Sequence, residues 1–110
     1  VSLFGAVCKA VGLPAPVIEF RFAPPRRFAF DFAWEAQRVA VEQEGGLFGR
    51  GKRCPLCGRK AVGAHTSIER LKSDLEKYNL AAAMGWRVGR FTPEQLNDGR
   101  ALAWLERLLK

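Results

Sequence analysis

The chain has one histidine, one tyrosine and one methionine among its 110 residues. Its three cysteines are an odd number, two of them in Cys54-Pro-Leu-Cys57 and the third far away at Cys8. That excludes the paired framework of a small disulfide-stapled secreted domain and points to a reducing, cytoplasmic setting. No apolar run approaches the length needed to cross a bilayer, and no secretory leader pattern is present. The chain begins at Val1 rather than Met, so a preceding segment is expected. Acid is scarce: 11 Asp and Glu against 18 Lys and Arg, a formal net charge of +7. With 48% apolar and 26% charged residues, the composition is that of one globular domain over residues 1–110, and disorder is excluded.

The acid deficit is local. Basic and acidic residues balance over residues 1–44, whereas residues 45–66 carry Arg50, Lys52, Arg53, Arg59 and Lys60 with no acid at all. This stretch also holds six glycines and reads as a long loop insertion. A basic, glycine-rich loop of that length fits contact with phosphates; the alternative is a solvated surface loop.

Hydrophobic spacing orders the rest. Leu3, Phe4, Val7 and Val11 predict a short helix ending near Gly12. Val17 to Phe22 alternates as a strand, and Phe28 to Trp34 alternates again, with Phe28, Phe30, Phe32 and Trp34 set against Ala29, Asp31 and Ala33. The phenylalanines from Phe20 to Phe32 are therefore expected on one core face. After a polar reversal at Glu35–Arg38, Val39 to Glu44 forms a third strand, with Val39 and Val41 facing away from Ala40, Glu42 and Glu44. A helix capped by Thr66 or Ser67 follows, with an apolar stripe of Ile68, Leu71, Leu75, Tyr78 and Ala82, ended by Gly85. Trp86 to Phe91 is a fourth strand. Thr92-Pro93-Glu94-Gln95 has the form of a capping box with proline in the first turn, and it opens a last helix interrupted near Gly99. The order α-β-β-β-α-β-α predicts an α/β fold with a mixed sheet of about four strands flanked by helices.

Three carboxylates fall on one face of the second hairpin. Asp31 is flanked by the small Ala29 and Ala33, and Glu42 and Glu44 leave their strand on one side. Pairing through the reversal brings Asp31 near Glu42; a turn centred between Gln37 and Arg38 sets Asp31 opposite Glu44 and Ala33 opposite Glu42. Converging carboxylates repel unless a cation lies between them, and such oxygen ligands suit Mg²⁺ or Mn²⁺. The alternative is a polar sheet face in water. Cys54 and Cys57, followed by Gly58, form one half of a zinc knuckle. Four ligands are needed: His65, Cys8 or a second copy of the pair from a dimer are the candidates, and a disulfide within the pair or a metal-free knuckle are the alternatives.

Asp31, then Glu42-Gln43-Glu44-Gly45-Gly46, a basic loop, His65, Ser73-Asp74-Leu75-Glu76-Lys77-Tyr78-Asn79, Gly85-Trp86-Arg87-Val88 and Arg90-Phe91 together resemble the PD-(D/E)xK nuclease superfamily. Within it, the likeness is to small phage and bacterial nucleases of the Vsr-like and Holliday-junction-resolvase type. It spans roughly residues 17–96. The resemblance implies a restriction-endonuclease-like core and a divalent-metal-dependent DNA endonuclease, with Asp31 and Glu42 as ligands of Mg²⁺ or Mn²⁺. The motif lysine is replaced by Glu44, a further metal ligand, and the missing cation is then expected from the following helix, from Lys77 first and Lys72 second. His65 matches a histidine near the site in the Vsr-like branch, where it would assist proton transfer. No glutamate on the first helix matches the N-terminal glutamate of archaeal-type resolvases; Glu19 on the first strand is a weak substitute, or the residue is expected upstream of Val1. Branched DNA is the implied substrate, which requires two sites and hence a homodimer. The competing readings are a Vsr-like enzyme nicking mismatched or linear duplex, and a DNA-binding module without catalysis.

Overall fold

The computed structural model describes residues 3–44 and 64–110, with the side chains of residues 64–67 left aside. Helix α1 (Leu3–Ala10) leads into strands β1 (Val17–Arg21), β2 (Ala29–Trp34) and β3 (Val39–Gln43). Helix α2 (Ala64–Ala83), strand β4 (Arg87–Phe91), and helices α3 (Pro93–Asn97) and α4 (Arg100–Leu109) complete the chain. The sheet has the order β1-β2-β3-β4. β1, β2 and β3 form an antiparallel meander, and β4 lies parallel to β3 after the crossover through α2. This is the α/β architecture and four-strand mixed sheet that the hydrophobic spacing predicts.

Two cores lie on the two faces of the sheet. On one face α1, α3 and α4 bury Phe4, Cys8, Leu96, Ala101 and Leu105 against Trp34, Val39 and Val41. On the other, α2 contributes Ala81, and Trp86 just before β4 joins it, against Phe22, Phe30, Ala33 and Ala40. Phe30 is fully buried, a contribution of about 2–3 kcal/mol from removing its ring from water. The opposed sides of β3 follow its alternation, Val39 and Val41 one way and Ala40 and Glu42 the other.

The capping box at α3 forms as its sequence predicts, with Thr92 Oγ1 accepting from the Gln95 backbone and the Gln95 side chain accepting from the Thr92 N–H. Gly99, at φ +96°, separates α3 from α4, so the interruption is a left-handed residue that favours glycine. α2 begins at Ala64, which takes residues 64–66 out of the predicted loop and places Thr66 and Ser67 inside the helix rather than at its cap.

Three expectations are corrected. The phenylalanines do not share one face: Phe20, Phe22, Phe28 and Phe30 pack with Trp86, whereas Phe32 joins the opposite core and meets Phe4 edge to face at 5.0 Å. The alternation of β2 breaks at Asp31. The opposing position on β1, bracketed by the Ile18–Phe32 and Phe20–Phe30 pairs, is Glu19 at φ +50°. Second, Ala33 pairs with Ala40 and Phe32 with Val41, which aligns Asp31 with Glu42 instead of Glu44. The reversal is a 3-10 turn over Glu35–Gln37 closed by Arg38 in the left-handed region, and its centre lies one residue earlier than expected. Third, Ile68, Leu71 and Leu75 on α2 are exposed, and the helix and the turn after it meet the sheet through Tyr78, Ala81 and Met84.

Candidate active site

Small residues set the site's position. Ala33 and Ala40 are neighbours across the β2–β3 ladder, and both are fully buried with Ala81 of α2. Three methyl groups in place of larger side chains let the helix approach the sheet closely. One helical turn before Ala81 stand Lys77 and Tyr78, about 5 Å back along the helix. Two residues beyond Ala40 on the same strand face stands Glu42, about 7 Å along β3. The two displacements run the same way, and Lys77 and Tyr78 arrive at Glu42.

Glu42 is buried, and each of its carboxylate oxygens is engaged. Oε1 accepts from Lys77 Nζ at 3.0 Å and from the Tyr78 hydroxyl at 2.9 Å. Oε2 accepts from the Asp31 backbone N–H at 3.2 Å. In return, Asp31 Oδ2 accepts from the Gln43 backbone N–H at 2.8 Å. These reciprocal side-chain-to-backbone bonds stand where β2 and β3 part, beyond the last paired residues Phe32 and Val41. β3 continues along β4, and Glu44 N–H reaches the Phe91 carbonyl at 2.8 Å. The site therefore occupies the divergence of two adjacent strands.

Burial raises the Glu42 carboxyl above its ordinary range; the Lys77 ammonium and the bonds from Lys77 and Tyr78 pull it back, and Asp31 adds a smaller push upward. Burial and the neighbouring Glu42 charge push the Tyr78 phenol upward, so Tyr78 is a donor and not an anion. The Lys77 ammonium also lies 5.7 Å from the Phe30 ring centroid and 5.1 Å from that of Tyr78, where the ring faces favour a cation.

The structure thus brings together Asp31, Glu42 and Lys77. Glu44 does not join them: its Oε2 pairs with Arg90 Nε at 2.8 Å, and the expected three-carboxylate convergence is not formed. Among the described residues, no group of three or more His, Cys, Asp or Glu side chains is assembled to hold a metal. Asp31 and Glu42 set two carboxyl groups beside the single ammonium of Lys77. Two carboxylates of this kind fit Mg²⁺ or Mn²⁺, which take one or two protein carboxylates and complete their shell with water and phosphate oxygens. Glu19 is exposed on the edge strand β1.

The remaining candidates lie elsewhere. Arg50, Lys52, Arg53, Cys54, Cys57, Arg59 and Lys60 fall outside the described residues, and so does the side chain of His65, on the first turn of α2. Lys72 is exposed. Sequence reasoning missed Tyr78 and Arg90 as site residues. The signal for Tyr78 was the i, i+3, i+4, i+7 series Asp74, Lys77, Tyr78 and Ala81, a mixed polar face that competes with the apolar stripe. For Arg90 it was the parallel pairing of β4 with β3, which sets Arg90 beside Glu42.

No protein family, curated protein or solved structure was found to match the chain. What the fold defines is an α/β domain with a four-strand mixed sheet flanked by helices.

Proposed function

We propose that the chain is a divalent-metal-dependent DNA endonuclease with Asp31, Glu42 and Lys77 at its centre. One observation carries this reading: a buried carboxylate on β3 is held by a helix-borne lysine beside the aspartate of the adjacent strand, at the point where the two strands separate. Asp31 and Glu42 would hold Mg²⁺ or Mn²⁺, which supplies activation of water and neutralisation of phosphodiester charge. Lys77 favours the ionised form of Glu42 against the effect of burial and presents a cation to the charge that develops on the phosphate. Tyr78 and the Asp31 backbone N–H fix the orientation of the Glu42 carboxylate. The substrate class we propose is branched DNA, by the resemblance to junction resolvases; this entails a homodimer, and the basic residues Arg50, Lys52, Arg53, Arg59 and Lys60 would follow the backbone.

The Glu44–Arg90 pair favours a second reading, because it withdraws a carboxylate from the centre: a DNA-binding module without catalysis. One experiment separates the two. An end-labelled four-way junction and a linear duplex of the same sequence are incubated with Mg²⁺, Mn²⁺ or chelator, with Glu42→Ala in parallel. Symmetric, metal-dependent cuts in the junction alone, lost in the variant, support the resolvase. Cutting of both substrates makes the protein a duplex or mismatch nuclease. Binding without cutting under every metal condition establishes the silent module.

A further inference from the structure

The residues on either side of Lys77 each meet an arginine. Glu76, which precedes it, pairs with the Arg26 guanidinium from the β1–β2 connection. Tyr78, which follows it, lies under the Arg90 guanidinium of β4, with Cζ 4.3 Å from the ring centroid. The two surroundings match in kind. Arg26 has a carboxylate, Glu76, and a ring, Phe28, whose centroid is 4.7 Å from Cζ. Arg90 has a carboxylate, Glu44, and a ring, Tyr78. Both arginine side chains remain 45% exposed.

An exposed ion pair contributes little to stability, so fold energetics alone do not account for this repeated arrangement. Its effect is to fix the plane of a guanidinium before any ligand arrives. A guanidinium has five N–H donors. Among the described residues, one donor of Arg26 and one of Arg90 are taken by these carboxylates. A pre-oriented fork with free donors suits bidentate contact with phosphate oxygens, and pre-orientation lowers the entropy lost on binding. Arg90 is register-paired with Glu42, and β4 lies two strand spacings, about 10 Å, from β2, which follows directly on the Arg26 connection. The two arginines therefore flank the Asp31–Glu42–Lys77 centre.

We propose that Arg26 and Arg90 are two phosphate clamps that hold the DNA backbone on either side of the phosphate addressed by that centre. The inference rests on the proposed nuclease reading and adds the path of the strand: from the β1–β2 connection, across α2 at Lys77, to β4.

The test is DNA binding in chelator, followed by fluorescence anisotropy over a salt series with a labelled four-way junction and a labelled duplex. Arg26→Ala and Arg90→Ala are each expected to weaken binding about tenfold. Each should also reduce the slope of log affinity against log salt by about one, as the loss of one phosphate contact does. Arg107→Ala, on α4 across the sheet, should leave both quantities unchanged. Arg90→Lys keeps the charge and loses the fork, so it should hold the salt slope while lowering affinity, and it carries the Arg90 measurement if the alanine variant does not fold. Wild-type affinity and slope in folded Arg26→Ala and Arg90→Ala proteins, or wild-type affinity in Arg90→Lys, would overturn the clamps. If the wild type binds with these slopes yet never cuts with Mg²⁺ or Mn²⁺, the nuclease reading falls and the clamps stand. If the wild type binds no DNA, both fall.

Discussion

Lys77 Nζ lies 3.0 Å from Glu42 Oε1, with only 13% and 9% of the two side chains exposed. A buried pair of this kind is poor evidence for stability, because desolvating both charges offsets their attraction. Its placement instead fits a site that holds a carboxyl group and an ammonium together out of water.

Lys77→Met tests the pair directly. The substitution keeps the stem's packing and removes the charge. Single-turnover cleavage should fall at least about 100-fold, the range seen when one charge-stabilising group is lost. Binding in chelator should change far less. Unfolding in urea should show a loss of about 3 kcal/mol, the low end for breaking a buried pair, because Tyr78 and the Asp31 N–H still bond Glu42. Wild-type cleavage by the variant would remove Lys77 from the mechanism.

The pH dependence of stability follows from Glu42. Its folded pKa is raised, first by burial, so the folded state holds this proton to higher pH than the unfolded chain does. The stabilisation is complete below the ordinary glutamate value and is lost as pH rises through the raised one. Relative to Glu42→Gln, which titrates no proton there, the wild type should therefore lose stability as pH rises above about 4.5. Urea midpoints of both proteins in chelator, at acidic and neutral pH, measure this. A difference that is constant with pH would mean that Glu42 titrates as it does in the unfolded chain.

Much of this arrangement was legible in the sequence, and what was not has identifiable causes. Strand β3 is regular, so its period-2 pattern assigned Val39 and Val41 to one core and Glu42 to the other face correctly. The Thr92 capping box and the break at Gly99 depend only on local bonds and were equally readable. Strand β2 departs from its pattern because the alternation breaks at Asp31, whose carboxylate accepts from the Gln43 N–H where the strand changes face. The face of α2 is harder to read because Ile68, Leu71 and Leu75 are larger apolar side chains than Ala81, the residue of the helix that is fully buried against the sheet. What seats the helix is the closeness allowed by Ala33, Ala40 and Ala81, and small residues leave no mark on a hydrophobic stripe. The pairing of Glu44 with Arg90 needed the β3–β4 register, which joins residues far apart in the chain.

Gly89→Ala probes the packing behind Arg90. Gly89 is buried on β4, and a Cβ there would lie 2.7 Å from Phe91 Cε2 and 2.9 Å from two ring carbons of Trp104. Those rings already meet edge to face at 5.6 Å, so α4 must shift to make room. The expected cost is about 1–3 kcal/mol, the range for an overpacked core. Thermal unfolding checks it, and an unchanged midpoint would show that Trp104 moves aside freely.

Metal binding can be read without any substrate. Asp31 and Glu42 are adjacent acids backed by one lysine, so a divalent cation binding the folded site should stabilise the protein by mass action. At 100 times its dissociation constant the gain is about 2.7 kcal/mol. For a domain of this size that is a rise in midpoint of about 10 °C. Asp31→Asn keeps an oxygen acceptor for the Gln43 N–H and removes one carboxylate charge from the site. Mg²⁺ or Mn²⁺ should therefore raise the unfolding midpoint of the wild type and have little effect on the variant, whereas monovalent salt of the same ionic strength should not distinguish them. Equal stabilisation of both proteins would mean that the cation binds away from Asp31, and the centre assigned to the β2–β3 divergence would lose its metal.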